Sequence, residues 1–484
     1  MKRGWKNMYN TQQIRIKKGH RFYPYCEKMS SLAKNLYNAT NFHIRQIFTA
    51  FNEDKTINPL QQEVFDLVDK HLPQMNEVRI KAVEKKREKE LKKPIHERKE
   101  IKDATLFKYP SNENKMISYS FLDGLFKASE NADYQALPGQ VNQQVMKMVF
   151  QNWKSFFASI KDYKINPHKY AARPKLPKYA PKKGRKECVF SNQVCVIKDK
   201  KYLKFPQTKE KLNIGKVGLK GELQQVRIIH AYGEYIVEIV FKVEDKEQIE
   251  LDKNHVMGID LGVNCLATMV DNTGAAPVII KGKAIKSINQ YYNKQRAHYY
   301  SVLRHGHSPK VGAFHSHRLA ELDRKRFSKL KDYFHKASYH IVKLAIERKV
   351  STIVIGVNKG WKEDLKLRKS EKQNFKFLPH TMLINMIEYK AKEYGIDIQR
   401  QEESYTSKAS FVDMDELPVY EKGNKTKVLF SGQRVYRGLY RTKKNKHIHA
   451  DVNAAGNIIR KVVPNAFADG IEGVVSRPLM LSII

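Results

Sequence analysis

Val256-Met-Gly-Ile-Asp-Leu-Gly-Val-Asn-Cys-Leu-Ala-Thr-Met-Val270 is the stretch on which the reading of this chain turns. Two apolar runs, 256–259 and 266–270, flank a tight glycine-bearing turn, the pattern of two adjacent strands of a hairpin. Asp260 falls where the first strand ends, among residues that should be buried. A carboxylate in that setting is costly unless it is paired or binds a metal. Taken alone, it is an ordinary turn residue. Far downstream, His449-Ala-Asp-Val-Asn-Ala-Ala-Gly-Asn-Ile458 puts a second acid, Asp451, at the start of an apolar-periodic helix. Taken alone, that acid is a helix N-cap.

Together the two acids say more. An acid on a strand followed by an acid on a late helix is how a ribonuclease-H-type fold gathers Mg²⁺ ligands. Two ions about 4 Å apart then clamp the attacking and leaving oxygens of a phosphodiester. The elements around them fit. A third strand is expected at 277–280, then long basic helices over 285–304 and 314–348. A buried strand follows at 351–356, a helix at 380–394 and a strand at 396–402. Residues 404–447 are polar, basic and glycine-rich, and the Asp451 helix closes the order β-β-β-α-β-α-β-α.

The composition points to a polyanion. Ninety Lys and Arg against fifty Asp and Glu leave a net charge of +40 over 484 residues. Solubility does not need that excess, whereas neutralising phosphates releases counterions. A ribosomal-type tail or a membrane-surface patch would concentrate the charge. Here it is spread along most of the chain among aromatics, which favours long nucleic-acid grooves. Four cysteines, Cys26, Cys188, Cys195 and Cys265, make neither a disulfide framework nor a four-ligand zinc spacing. The start, Met1-Lys-Arg-Gly-Trp5, has no apolar signal core, and no run reaches membrane-spanning length.

The N-terminal half changes period along its length. Residues 12–16 alternate as a short strand, and 31–48 are an amphipathic helix that Ser31 can cap. A charge-dense helix is expected over 76–93, and further helices over 116–161. Residues 173–186 hold seven basic residues, three prolines and no acid, an extended basic linker or strap. From 188 to 243 the period is two, giving a small all-β unit, expected as a barrel that strand 12–16 completes.

On these residues the chain resembles TnpB, the transposon-encoded RNA-guided nuclease related to the compact type V CRISPR effectors. The resemblance rests on residues 31–48, Ala136-Leu-Pro-Gly139 with Trp153-Lys-Ser-Phe156, and Arg173-Pro-Lys-Leu-Pro-Lys-Tyr179. It continues through Gly258-Ile-Asp-Leu-Gly-Val-Asn264, Lys286-Ser-Ile-Asn-Gln-Tyr-Tyr-Asn-Lys294 and Ile355-Gly-Val-Asn-Lys-Gly-Trp-Lys362. Asn374-Phe375 with Pro379, Glu402-Glu-Ser-Tyr-Thr-Ser-Lys408 and the Asp451 segment complete it in family order.

The resemblance implies a multidomain α+β protein. A wedge β-barrel would comprise 1–20 and 187–252, and a helical recognition lobe with its basic linker 21–186. A ribonuclease-H-like (RuvC) nuclease domain would comprise 253–403 and 442–484, around an inserted target-nucleic-acid-binding segment, 404–441. It also implies a guide RNA, a double-stranded DNA target read beside a short flanking motif, and two Mg²⁺ ions. The expected location, from the missing signal core, is a prokaryotic cytosol in association with the nucleoid; a monomer is favoured, and the sequence leaves the oligomeric state open.

Two departures qualify it. The insert lacks the cysteines of a zinc ribbon, since no cysteine follows Cys265, so no zinc is expected there. The strand at 353–356 is followed by Val357, where the family usually carries the middle acid of the site. Glu402 and Glu403, ending the neighbouring strand, are the candidates to replace it, and strand alternation lets only one serve. The expected metal ligands and catalytic residues are therefore Asp260, Asp451 and one of Glu402 and Glu403. The activity they imply is metal-dependent endonucleolytic cleavage of DNA. The alternative is a nuclease-inactive, RNA-guided repressor that acts by occupancy. A strand-transferring transposase shares the fold, but no donor-end-binding domain is evident.

Overall fold

The computed structural model describes residues 8–51, 56–215, 221–243, 249–308, 311–357, 378–418, 428–468, 470–471, 473–475 and 477–483. Met1–Trp5, residues 358–362 and Asn374-Phe375, all quoted above, lie outside them. The chain forms two compact units, Met1–Glu244 and Asp245–Ile484.

In the first unit, β1 (Met8–Ile16) precedes four helices of substance: α1 (Tyr23–Ala50), α2 (Pro59–Leu91), α3 (Tyr119–Ala128) and, after the single turn α4 (Ala132–Gln135), α5 (Gly139–Ile165). Two helices start earlier than their patterns suggest. Pro24 opens α1, which leaves Ser31 inside the helix rather than capping it. Asn58 opens α2 with a reciprocal capping box, its side chain accepting from Gln61 N at 3.0 Å while its own N–H donates to the Gln61 side chain at 2.9 Å. Pro73, which suggests a later start, is carried inside the helix. Trp153 of α5 is fully buried, and its indole N–H donates to Asn41 of α1 at 2.9 Å.

The basic strap lies along α1. Asn38 donates to Ala180 O at 3.0 Å and accepts from Ala180 N at 2.8 Å. Asn41 and Arg45 both donate to Pro177 O, and Lys34 donates to Lys182 O. The strands β2 (Cys188–Ser191), β6 (Glu222–Ala231) and β7 (Glu234–Val243) join β1 in an antiparallel sheet of order β1-β7-β6-β2. The strands β3 (Val196–Lys198), β4 (Tyr202–Lys204) and β5 (Lys211–Asn213) form a separate three-stranded sheet. The expected barrel is thus two sheets, which share one core through Phe190, Phe205, Leu203 and Ile239.

The second unit is built on a six-stranded mixed sheet. Its chain order is β8 (Asp252–Leu261), β9 (Cys265–Asp271), β10 (Val278–Lys281), α6 (Lys283–Arg304), α7 (His317–Glu347), β11 (Val350–Gly356), α8 (His380–Lys392) and β12 (Asp397–Gln401). Then come β13 (Gln433–Tyr436), β14 (Leu439–Arg441), β15 (His447–His449), α9 (Ala450–Arg460) and β16 (Leu479–Leu481). The sheet order is β12-β11-β8-β9-β10-β16, with β8, β11 and β12 parallel and the β8–β9–β10 meander antiparallel. The edge strand β16 carries no alternation long enough to be read from sequence. The strands β13, β14 and β15 form their own sheet across residue 441, where the sequence expectation ends the inserted segment.

Alternation divides the sheet's side chains between two layers. Met257, Ile259, Ile353 and Ile355 pack against Phe334 and Ile341 of α7 and Leu383 and Ile387 of α8. Val256 and Val354 pack on the other side against Val452, Ala455, Ile458 and Ile459 of α9. Among the described residues, no helix is long and apolar enough to cross a membrane.

Candidate functional site

Asp260 shares strand parity with Val256 and Gly258, so its side chain belongs to the α9 side of the sheet. A β-carbon on Gly258 would run into Ala455 O and the Ile459 side chain. The Gly-Ile-Asp pattern therefore lets α9 settle close enough to carry its own acid towards Asp260.

That acid, Asp451, lies in the first turn of α9, where the helix dipole favours a carboxylate. It is not the cap. His449 is the N-cap, its Nδ1 accepting from Asp451 N at 3.3 Å. Arg434 of β13 donates to Asp451 Oδ1 at 3.4 Å.

The two glutamates follow β12 and separate. Glu402 accepts from Ser404 N at 2.6 Å, Ser404 Oγ at 2.8 Å and Lys461 Nζ at 2.9 Å. Burial pushes its carboxyl up, but these bonds outweigh it and hold Glu402 below the usual carboxylate range. Lys461 follows α9 and has only 5% of its side chain exposed, so Glu402 is its ion-pair partner. Glu403 turns inward. A β-carbon on Gly356 would meet Glu403 Oε2 and Ile458 Cδ1, each at 2.6 Å. Burial, and then the neighbouring Glu402, push the Glu403 carboxyl up to about 7. Val357 packs with the α7/α8 layer and offers no ligand.

Electrostatics tie Asp260, Asp451 and Glu403 together. Asp260 is held well above the carboxylate range by burial first, then by the charges of Asp451 and Glu403, with Arg434 opposing. A buried acid raised by two neighbouring carboxylates in this way favours a cation beside it. Oxygen-only donors on the ends of rigid elements suit a hard divalent ion, and Mg²⁺ fits this set. Glu402, bound to Lys461, is not among the groups that act on Asp260.

Sequence reasoning passed over several residues. Gly356 makes room for Glu403, Lys461 occupies Glu402, and Arg434 reaches Asp451 from β13. Cys265, at the start of β9, hydrogen-bonds Asp451 and has its thiol pushed up to about 12 by burial and then by that acid. Among the described residues, the trio whose ligand atoms all lie within 4.8 Å of one another is Cys265, His449 and Asp451. These residues are 186 apart at the extremes, 451 and 265, so no local spacing rule could have grouped them.

The chain is similar to several known proteins. A family described as a probable transposase (OrfB_IS605) matches residues 238–362, and a Cas12f1-like TNB domain matches 380–458. The TnpB-like protein ORF457 of Acidianus two-tailed virus is 28% identical over 229 residues, 45% of each chain, so the match spans under half of that relative. A Cas12f1–sgRNA–target DNA complex superposes with a TM-score of 0.45 at 14% identity, covering 93% of this chain and 98% of that one. The C2c1 protein of Alicyclobacillus acidoterrestris, solved with a single-guide RNA, gives 0.31 at 9% identity, covering 88% and 69%.

Proposed function

This chain is TnpB-like and related to the compact type V effectors, and from that we propose that it is an RNA-guided DNA endonuclease with one nuclease site, formed by Asp260, Glu403 and Asp451. The observation that carries the reading is that α9 closes on β8 over Gly258 and Glu403 fills the space over Gly356, so that the charges of Asp451 and Glu403 both act on the buried Asp260. Glu403 takes the place of the middle acid that Val357 cannot supply. Two Mg²⁺ ions held there would activate a water for attack on phosphorus and stabilise the leaving 3′ oxygen.

The protein's own groups prepare that chemistry. Asp260 is the shared ligand, since both other acids act on it. Glu403 is aimed by the space above Gly356, and Glu402 anchors the loop by binding Lys461. Arg434 neutralises Asp451 and brings a cation from the insert to the edge of the site, where a phosphate of the target strand can bind. The helices and basic strap of the first unit are the recognition lobe, and its two sheets are the wedge. Together they hold the guide and its heteroduplex by backbone charge.

The test is cleavage of a matched plasmid, behind a randomised flank, by the RNA-loaded protein in Mg²⁺. Wild type and Glu402→Gln should linearise it, whereas Asp260→Ala and Glu403→Gln should bind without cutting. The packing of Val357 among apolar residues favours a second reading, a guided repressor. An intact plasmid with specific, guide-dependent binding by the wild type would establish that instead.

A further inference from the structure

We propose that Cys265, His449 and Asp451 form a binding site for a thiophilic divalent transition-metal ion, with Zn²⁺ the closest chemical fit. The three come from the start of β9, the N-cap of α9 and its first turn, and each is partly open to solvent. Their ligand atoms already lie within 4.8 Å of one another. Four-coordinate zinc, with bonds of about 2.0 Å to nitrogen or oxygen and about 2.3 Å to sulfur, brings ligand atoms to roughly 3.5 Å apart. Side-chain rotation of about an ångström therefore closes the site without moving the backbone. The donor set is one sulfur, one imidazole nitrogen and one carboxylate oxygen. That combination selects zinc-like ions and is poor for Mg²⁺, which takes oxygen. A water completes the fourth position.

The chemistry balances simply. The Cys265 thiol gives its proton to solvent and binds as thiolate. The thiol is hydrogen-bonded to the Asp451 carboxylate, and an ion between the two replaces that bond with a ligand bond to each. His449 accepts from Asp451 N through Nδ1 at 3.3 Å. Coordination through Nδ1 replaces this bond, and coordination through Nε2 requires the other tautomer, so either mode breaks it. Arg434 must also leave Asp451.

The inference does not depend on nuclease activity, although Asp451 belongs to both sites. The full chain, stripped with a chelator, is titrated with Co²⁺. One equivalent should bring a thiolate-to-cobalt charge-transfer absorption in the near ultraviolet with intense visible bands of four-coordinate cobalt, and Zn²⁺ should abolish them. Cys265→Ser and Cys265→Ala, each checked for native circular dichroism, should lose the charge-transfer absorption. His449→Ala should weaken Co²⁺ at least tenfold, and Arg434→Ala should tighten it. No charge-transfer absorption in folded wild type overturns the proposal. So does one that survives in both Cys265 variants, which would place the ion at another cysteine.

Discussion

Glu403 Oε2 fills the space that Gly356 leaves by having no side chain, 2.6 Å from where a β-carbon would stand. The residue that ends β11 thus admits an acid delivered from the end of β12, its parallel neighbour. Gly356→Ala should push Glu403 out of the site and strain Ile458. Plasmid cleavage should fall by about a hundredfold, with about 1–3 kcal/mol of stability lost and guided DNA binding retained. Cleavage rates beside a urea midpoint check this; wild-type rates would remove Glu403 from the site.

The loop after β12 is held by two buried amides of α9. Asn453 accepts from Phe411 N at 2.8 Å and donates to Ala409 O at 2.7 Å, and Asn457 donates to Thr406 O and Ala409 O, both at 2.9 Å. Asn453→Ala leaves a buried N–H without its acceptor. A loss of about 2–3 kcal/mol is expected, read as a lower urea midpoint with unchanged slope.

Asp271 at the end of β9 is fully buried and pairs with Arg348, which also donates to Ala276 O at 2.9 Å. Arg348→Met strands that carboxylate and should cost about 3–5 kcal/mol. The double variant with Asp271→Asn should recover part of it, and a double-mutant cycle by chemical denaturation measures the coupling.

The first unit should weaken in mild acid through His43. Burial holds this imidazole below its usual 6.5, packed edge-on to Phe126 at 4.9 Å. The unfolded chain takes up a proton near pH 6.5 that the folded core resists. The contribution is therefore fully present above that pH and is lost as pH falls below it. Thermal midpoints at about pH 7.5 and about pH 5.5 should differ less in His43→Leu than in wild type, since that variant has no group to titrate.

The parts of the site that were legible in sequence are those set by local pattern. Asp260 could be read because two apolar runs flank its turn, and Asp451 because helix periodicity follows it. The choice between Glu402 and Glu403 was not legible, because both lie past the last residue of β12, where alternation no longer applies. What separates them is a lysine beyond α9 and a glycine on β11, both distant in sequence. Cys265 and His449 escaped notice for the same reason, since only the packed sheet and helix bring them together. The edge strand β16 and the early starts of α1 and α2 were hidden by brevity and by prolines.

The strap over α1 has a consequence for how this protein can diverge. Asn38, Asn41, Arg45 and Lys34 grip it through the carbonyls of Ala180, Pro177 and Lys182, atoms that every residue type possesses. Arg185, paired with Glu27, and Lys186, over the Tyr37 ring, share in that grip, whereas Lys175, Lys178, Lys182 and Lys183 carry none of these side-chain contacts. Mutation can trade them one at a time, retuning grip on a polyanion in small steps while the path of the chain is inherited intact.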